Sequence, residues 1–507
     1  MPHQRLFRHL VPGLLAVLLP VASLHAADYV VRSEDPNLLY QPKPELPSLE
    51  PFTRSAVYAK IGSRTPGQVS TARMVHLDPM NEFVGGDGRL AVWAARQRRN
   101  PHAIVLRKGY VTPADIATVL GPEAIEETSP GVFVARLPVL VSRDATFHID
   151  ESVKAFRLSE DAGSFLVNDG RLFITDSAVI GWRESTGTPA SYRYEKGFRP
   201  FILAWGGTET YVVNSRFASL GYDESKSYGF SISQYTPAQD KIFGRPHPTG
   251  WVIDSEFDDM WFGFYCYEAD DVVIARNTYR DSIVYGIDPH DRSNRLIIAE
   301  NHVSGTRKKH GIIISREVNN SWLFSNITTN NKLSGMVLDR QSSHNVVADN
   351  EFVDNGSDGL TLYESPDNII WGNKAVSNGS HGFRVRNSVN VKLYDNIAIN
   401  NAYTGINGHA KVLPPGSRDL ELDPYDDEFS LIIVGGRLVH NGGGPIAIEQ
   451  PLSIEMAGVE MLAPTSETGF ALDGVLGEHL HEVFDVMVRQ KKAVVIELDN
   501  VKRRVEG

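Results

Sequence analysis

The chain has 507 residues, 42% of them hydrophobic, and a formal net charge of −12 at pH 7. That length suits a folded protein of several domains or of one long body, and the acidic balance argues against nucleic acid as a partner. One cysteine, Cys266, excludes a disulfide framework and a cysteine-based zinc site.

The N-terminus reads as an export signal. Arg5 and Arg8 give a positive start, Leu10 to Leu19 an apolar run broken by Pro12 and Gly13, and Ser23 to Ala27 a small-residue cleavage region. The run is too short to span a bilayer, and no other stretch approaches eighteen apolar residues, so the mature chain is expected without stable membrane insertion. The assignment is a signal peptide over 1–26, then a proline-rich extended arm or linker over 27–70 with Pro36, Pro42, Pro44, Pro47 and Pro51.

Residues 71–145 read as a small α+β cap. Leu90 to Arg96 has a helical pattern, Ala103 to Leu106 that of a strand, and Thr112-Pro113 an N-cap with proline at the first helical position before Ala114 to Leu120. Strand-like runs at Phe133 to Leu140, Ala155 to Leu158 and Leu172 to Ile174 follow. A long insertion, Gln234 to Gly250, carries Lys241, Arg245 and His247; it is open to reading as a lid or as a plain surface loop.

Beyond Cys266 the chain repeats. Asparagine recurs at Asn277, Asn301, Asn326, Asn350, Asn373 and Asn396, and glycine keeps step at Gly263, Gly286, Gly311, Gly335, Gly359, Gly382 and Gly405, every 23 to 25 residues. A period in the low twenties, with short β-branched runs and no helical pattern, predicts a β-solenoid over 146–410. The asparagines are expected to form a buried ladder, each amide bonding the coil above and below.

Strand side chains alternate faces. Positions one and three after each glycine are apolar (Ile312 and Ile314, Met336 and Leu338, Leu360 and Leu362, Phe383 and Val385), so they point inward, with Cys266 among them as a core thiol. Positions two and four form an exterior file: Tyr265 and Tyr267, Asp288 and His290, Ile313 and Ser315, Val337 and Asp339, Thr361 and Tyr363, Arg384 and Arg386. Arg316, Arg340 and Glu364 lie one place further on. Coils stack about 4.8 Å apart, so the file suits an extended polymer better than a small metabolite. After Ala410 the period fails at Pro414-Pro415-Gly416. The acidic run Asp419, Glu421, Asp423, Asp426, Asp427 and Glu428 reads as a solvated loop without calcium-loop spacing, and 411–507 as a capping region with a helix over Glu478 to Arg489.

The stretch Asp288-Pro289-His290-Asp291, followed one coil later by Arg316, on a solenoid of this period behind an export signal, resembles the periplasmic mannuronan C5-epimerases of bacterial alginate biosynthesis. The resemblance implies a right-handed parallel β-helix, action on polymeric mannuronate in the periplasm and no calcium or other cofactor. Other components of alginate export are further candidate partners.

The residues fit that chemistry. Inverting C5 of a uronate removes a proton α to a carboxylate, and a guanidinium on that carboxylate lowers the barrier. Arg316 can hold the carboxylate while His290, with an ordinary pKa near neutrality, acts as base. Asp288 can fix the imidazole, and Asp291 can do the same or bind a sugar hydroxyl. Tyr265, Tyr267, Asp339, Arg340, Tyr363, Arg384 and Arg386 complete the expected substrate contacts. The returning proton comes from water or a tyrosine. A polyuronate lyase, a glycoside hydrolase and a noncatalytic polysaccharide guide remain alternatives on the same scaffold.

Overall fold

The computed structural model describes residues 29–85, 89–416, 418–421, 423–462 and 472–498; the export signal read over 1–26 lies outside them. Three long sheets run the length of the molecule, and most successive turns of chain add one strand to each. In the coil that carries the Asp-Pro-His-Asp stretch these strands are Tyr285–His290, Ile297–Ala299 and His302–Ser304. Pairing from coil to coil is parallel, as in Tyr267 opposite His290 opposite Ser315. The chain is thus an all-β, right-handed parallel β-helix.

Inward positions match the alternation. Ile312, Ile314, Met336, Leu338, Leu360, Leu362, Phe383 and Val385 are buried in one core that extends the length of the solenoid. Cys266 is in it too, and burial pushes its thiol up to about 12, so it is inert as a nucleophile. The asparagine column is a continuous ladder: Asn326 Nδ2 donates to Asn350 Oδ1 at 2.9 Å, and Asn350 Nδ2 to Asn373 Oδ1 at 2.8 Å. A second ladder, Asn331, Asn355, Asn378, Asn401 and Asn441, turns the chain into the sheet that bears His290. The glycine column lies against this turn. A Cβ on Gly335 would sit 2.3 Å from Thr328 Oγ1 and 2.9 Å from Asn355 Nδ2, so no larger residue fits.

Cap and solenoid interleave. Helix Arg89–Gln97 and helix Pro113–Leu120, the latter closed by a Thr112–Asp115 capping box, stand where their patterns place them. The parallel ladder already begins at His102–Arg107 and Gly109–Val111, inside the 71–145 stretch. At the other end, Ser430–Val434 to Leu472–Gly474 continue all three sheets past the break at Ala410. Short helices Val475–Glu478 and Leu480–Phe484, a π-helical turn Asp485–Arg489 and the antiparallel strand Ala493–Leu498 then close the end.

The arm has a destination. Tyr29–Glu34 pairs antiparallel with Ala493–Leu498 at the far end of the solenoid. From there it returns along one face: Tyr394 donates to the Leu39 carbonyl, Lys43 pairs with Asp349, Phe52 stands edge-on to Trp251, and Arg54 pairs with Asp176. Its last part is helical, Arg54–Ile61, because Thr53 caps it and no proline follows Pro51 until Pro66. Among the described residues no helix is long and apolar enough to cross a membrane.

Candidate active site

The outward face of the sheet bearing His290 changes character along its length. One column runs Val105, Leu140, Val167, Leu203, Ser231, Tyr265, Asp288. Its apolar start packs under Phe83, Val84 and Trp93 of the cap helices, each such side chain gaining about 1.5–3 kcal/mol from burial. The insertion 234–250 latches onto the same end, with Tyr235 stacked on Trp205 at 4.7 Å and Arg245 paired with Asp169, so it does not lie over His290.

At the polar start of this face sits His290, with 25% of its side chain exposed. Its Nδ1 is in a short hydrogen bond with Asp291 Oδ2. An ionised carboxylate can only accept, so Nδ1 carries the proton and Nε2 is left with a lone pair. The partner that fixes the imidazole is thus Asp291, which lies just past the strand at φ +34 and curls back. Burial pulls the His290 pKa down, but the Asp291 hydrogen bond and the charges of Asp288 and Asp291 outweigh it and leave it above the ordinary value. Burial would raise Asp291; the His290 hydrogen bond, its charge and Arg316 hold it below the usual carboxylate range.

Asp288 shares the outward face of that strand, as alternation requires, but is only 2% exposed, and its Oδ1 has no hydrogen-bond partner. Burial pushes it up to about 7, against the opposing charges of His290 and Lys309. Tyr265 is buried beside it, its ring 6.2 Å from the imidazole, and burial raises its phenol. Tyr267 lies next to His290 with Lys226 Nζ 3.5 Å over its ring. Lys226 is itself buried, bonded to Ser233 Oγ at 2.8 Å, and burial lowers it to about 8.

Arg316 stands one coil on, Nη1 3.7 Å from Asp291 Oδ1, so base and guanidinium share one carboxylate. The file arginines downstream, Arg340, Arg384 and Arg386, are each paired. Arg340 lies 3.4 Å from Asp339, whose pKa burial raises; Arg384 is 3.2 Å from Asp358 and reaches the Tyr363 hydroxyl at 3.4 Å; Arg386 pairs with Glu364 at 2.7 Å and covers the Tyr363 ring. The connection 410–429 supplies more partners, with Arg418 on Glu364 and Asp423 on both Arg316 and Arg340. The face therefore alternates charge, and it holds fewer unpaired cations than its arginine count suggests.

Known proteins resemble the chain over nearly its whole length. A curated mannuronan C5-epimerase of Pseudomonas putida is 54% identical over 481 residues, covering 95% of this chain and 92% of the relative. One of Pseudomonas aeruginosa is 55% identical over 470 residues, 93% of this chain and 87% of the relative. The chain belongs to the mannuronan C5-epimerase family. The crystal structure of the periplasmic alginate epimerase AlgG superposes on this epimerase with a TM-score of 0.82 at 53% identity, over 83% of this chain and all of that one. A family model described as periplasmic copper-binding protein (NosD) matches residues 242–411, the repeat region. Among the described residues no group of three or more histidine, cysteine or acidic side chains gathers as a metal site.

Sequence reasoning missed Lys226, Lys309, Glu364 as a clamp, Arg418 and Asp423. Glu364 stands in the column of Arg316 and Arg340, but nothing in that column shows that it pairs with two arginines; Lys226, Lys309 and Arg418 stand in no column. Asp423 sits in the one acidic run the repeat does not explain, and that interruption was the available signal.

Proposed function

We propose that this epimerase converts β-D-mannuronate to α-L-guluronate within polymeric mannuronan, in the periplasm, as part of alginate biosynthesis and export. The observation that carries the reading is the Asp291-centred pair. Asp291 holds His290 with Nε2 free and lies 3.7 Å from Arg316 on a partly open, elongated face. His290 Nε2 takes the C5 proton; the electron pair moves into the C6 carboxylate, where Arg316 balances the second charge. A proton then arrives on the opposite face of the ring. Tyr267, Asp339, Tyr363, Arg340, Arg384 and Arg386 line the path for neighbouring sugars. Homology at this level supports the reaction; the roles given to single residues rest on the geometry and on general acid–base chemistry.

Proton NMR of polymannuronate before and after incubation tests this. New guluronate signals are expected. Unsaturated ends would mean a lyase, which needs an acid at O4; an unchanged spectrum with retained polymer binding would mean a guide.

A further inference from the structure

In successive coils the turn leaving the sheet of His290 is short: residues 316–321, 340–345, 364–368 and 387–390. The next one, 410–429, is far longer, and it does not run out into solvent. It doubles back over the outward face, against the direction of coil growth. Arg418 Nη1 reaches Glu364 Oε2 at 2.6 Å, the Pro424 carbonyl accepts from Gln341 Nε2 at 3.3 Å, and the Leu413 amide donates to the Tyr425 hydroxyl at 2.8 Å. At its furthest reach Asp423 Oδ2 accepts from Arg316 Nη2 at 2.9 Å and from Arg340 Nη1 at 3.2 Å, with its side chain 10% exposed. One carboxylate thus bridges two guanidiniums of adjacent coils, beside the imidazole.

A uronate carboxylate bound there needs those same donors. We propose that Asp423 is a built-in stand-in for a substrate carboxylate, and that an acidic polymer binds by exchanging its own carboxylates for Asp423 on Arg316 and Arg340. This rests on the reading of Arg316 as the ligand of the substrate carboxylate. The exchange makes Asp423 a specificity-determining residue. A neutral polysaccharide that lifted the strap would take the Asp423 ion pair from both guanidiniums and return no charge, leaving Arg316 with Asp291 at 3.7 Å and Arg340 with Asp339 at 3.4 Å as their remaining partners. A polyuronate replaces each ion pair with an equivalent one. In the free protein the same contact keeps the arginines aimed at the site.

The test uses the full-length chain in a His290→Asn background, so that binding is read without turnover. Titration with oligomannuronate and with its carboxyl-reduced, neutral counterpart compares Asp423 with Asp423→Asn. Removing the competitor should tighten oligomannuronate binding roughly 10-fold and narrow the preference for the acidic ligand. Unchanged or weaker binding would overturn the proposal, because Asp423 would then be a support for the arginines and not their occupant. Arg316→Gln in the same background separates the two levels. If it leaves oligomannuronate affinity unaltered, the carboxylate-binding reading itself fails; if it weakens binding while Asp423→Asn does not tighten it, only the exchange fails. Amide hydrogen exchange on the unmodified strap needs no variant. Saturating polymannuronate should raise deuterium uptake across 410–429, and a fall or no change would contradict displacement.

Discussion

Asp288 and Asp291 flank the same imidazole and do different work. Alternation along Tyr285–His290 puts Asp288 and His290 on one face, and that much was readable. It says nothing about a residue beyond the strand, where Asp291 turns into the left-handed region and brings its carboxylate back to Nδ1. The same backbone recurs at Arg316, Arg340 and Glu364, and also at Asp349 and Asp354, so it belongs to the solenoid's turns and is not strain reserved for chemistry. The hydrogen bond has a consequence for pH dependence. A histidine raised above its ordinary value is a competent base only at higher pH, so the acidic limb of kcat/KM should lie above about 6.5. Asp291→Asn removes the charge that holds the proton on His290 and puts at Nδ1 a neutral amide that can accept through its oxygen or donate through its nitrogen. The limb should therefore move to lower pH, while the plateau rate falls roughly 10- to 100-fold because the imidazole is less basic and its tautomer is no longer fixed. A pH–rate profile identical to that of the unmodified enzyme would remove Asp291 from this role.

The ladders and the strap show what a repeat reveals and what it hides. Six asparagines in register made one ladder legible, and all six are buried in it. The second ladder stood five residues behind four of them, at Asn331, Asn355, Asn378 and Asn401, but asparagine is so common in the intervening turns that only contacts distinguish it. Each rung satisfies several buried groups at once. Asn350 accepts from the Asn326 amide and from Asn326 Nδ2, and donates to the Leu323 carbonyl and to Asn373 Oδ1. Asn350→Ala would leave the Asn326 amide without this acceptor and take one bond each from Asn326 Nδ2, the Leu323 carbonyl and Asn373 Oδ1, although Asn326 Nδ2 keeps the Ile298 carbonyl and Asn373 Oδ1 the residue-350 amide; it should cost on the order of 2–4 kcal/mol. Denaturant unfolding reads this directly; a loss under about 1 kcal/mol would mean the rungs are decorative. The strap was legible only as an interruption of the repeat, not as a contact with the face. Its acids looked solvated because an ion pair between Asp423 and an arginine 107 positions earlier has no period.

Across the whole molecule, the extended arm, the cap and the strap divide the surface between them. The arm lies along the face made by strands such as Val346–Ala348 and Val391–Tyr394 and ties the C-terminal strand to the N-terminal turns. The cap covers the apolar end of the face bearing His290, and the strap crosses its basic end. Between them lies a polar window with Tyr267, His290 and Ser315 in line. A chain with a net charge of −12 can admit an acidic polymer at such a window because the local field is set by nearby groups, not by the total. The architecture could be anticipated because stacking repeats its own rules every coil; the window could not, since its edges are set by two segments outside the repeat. In the proposed mechanism His290 removes the C5 proton and a solvent-derived proton returns to the other face. Turnover of polymannuronate in heavy water measures this most directly, read by NMR with His290→Asn alongside. Deuterium at C5 of every new guluronate, and neither guluronate nor label with the variant, is the expected result. Guluronate that retains its original hydrogen, or conversion that survives in the variant, would contradict it.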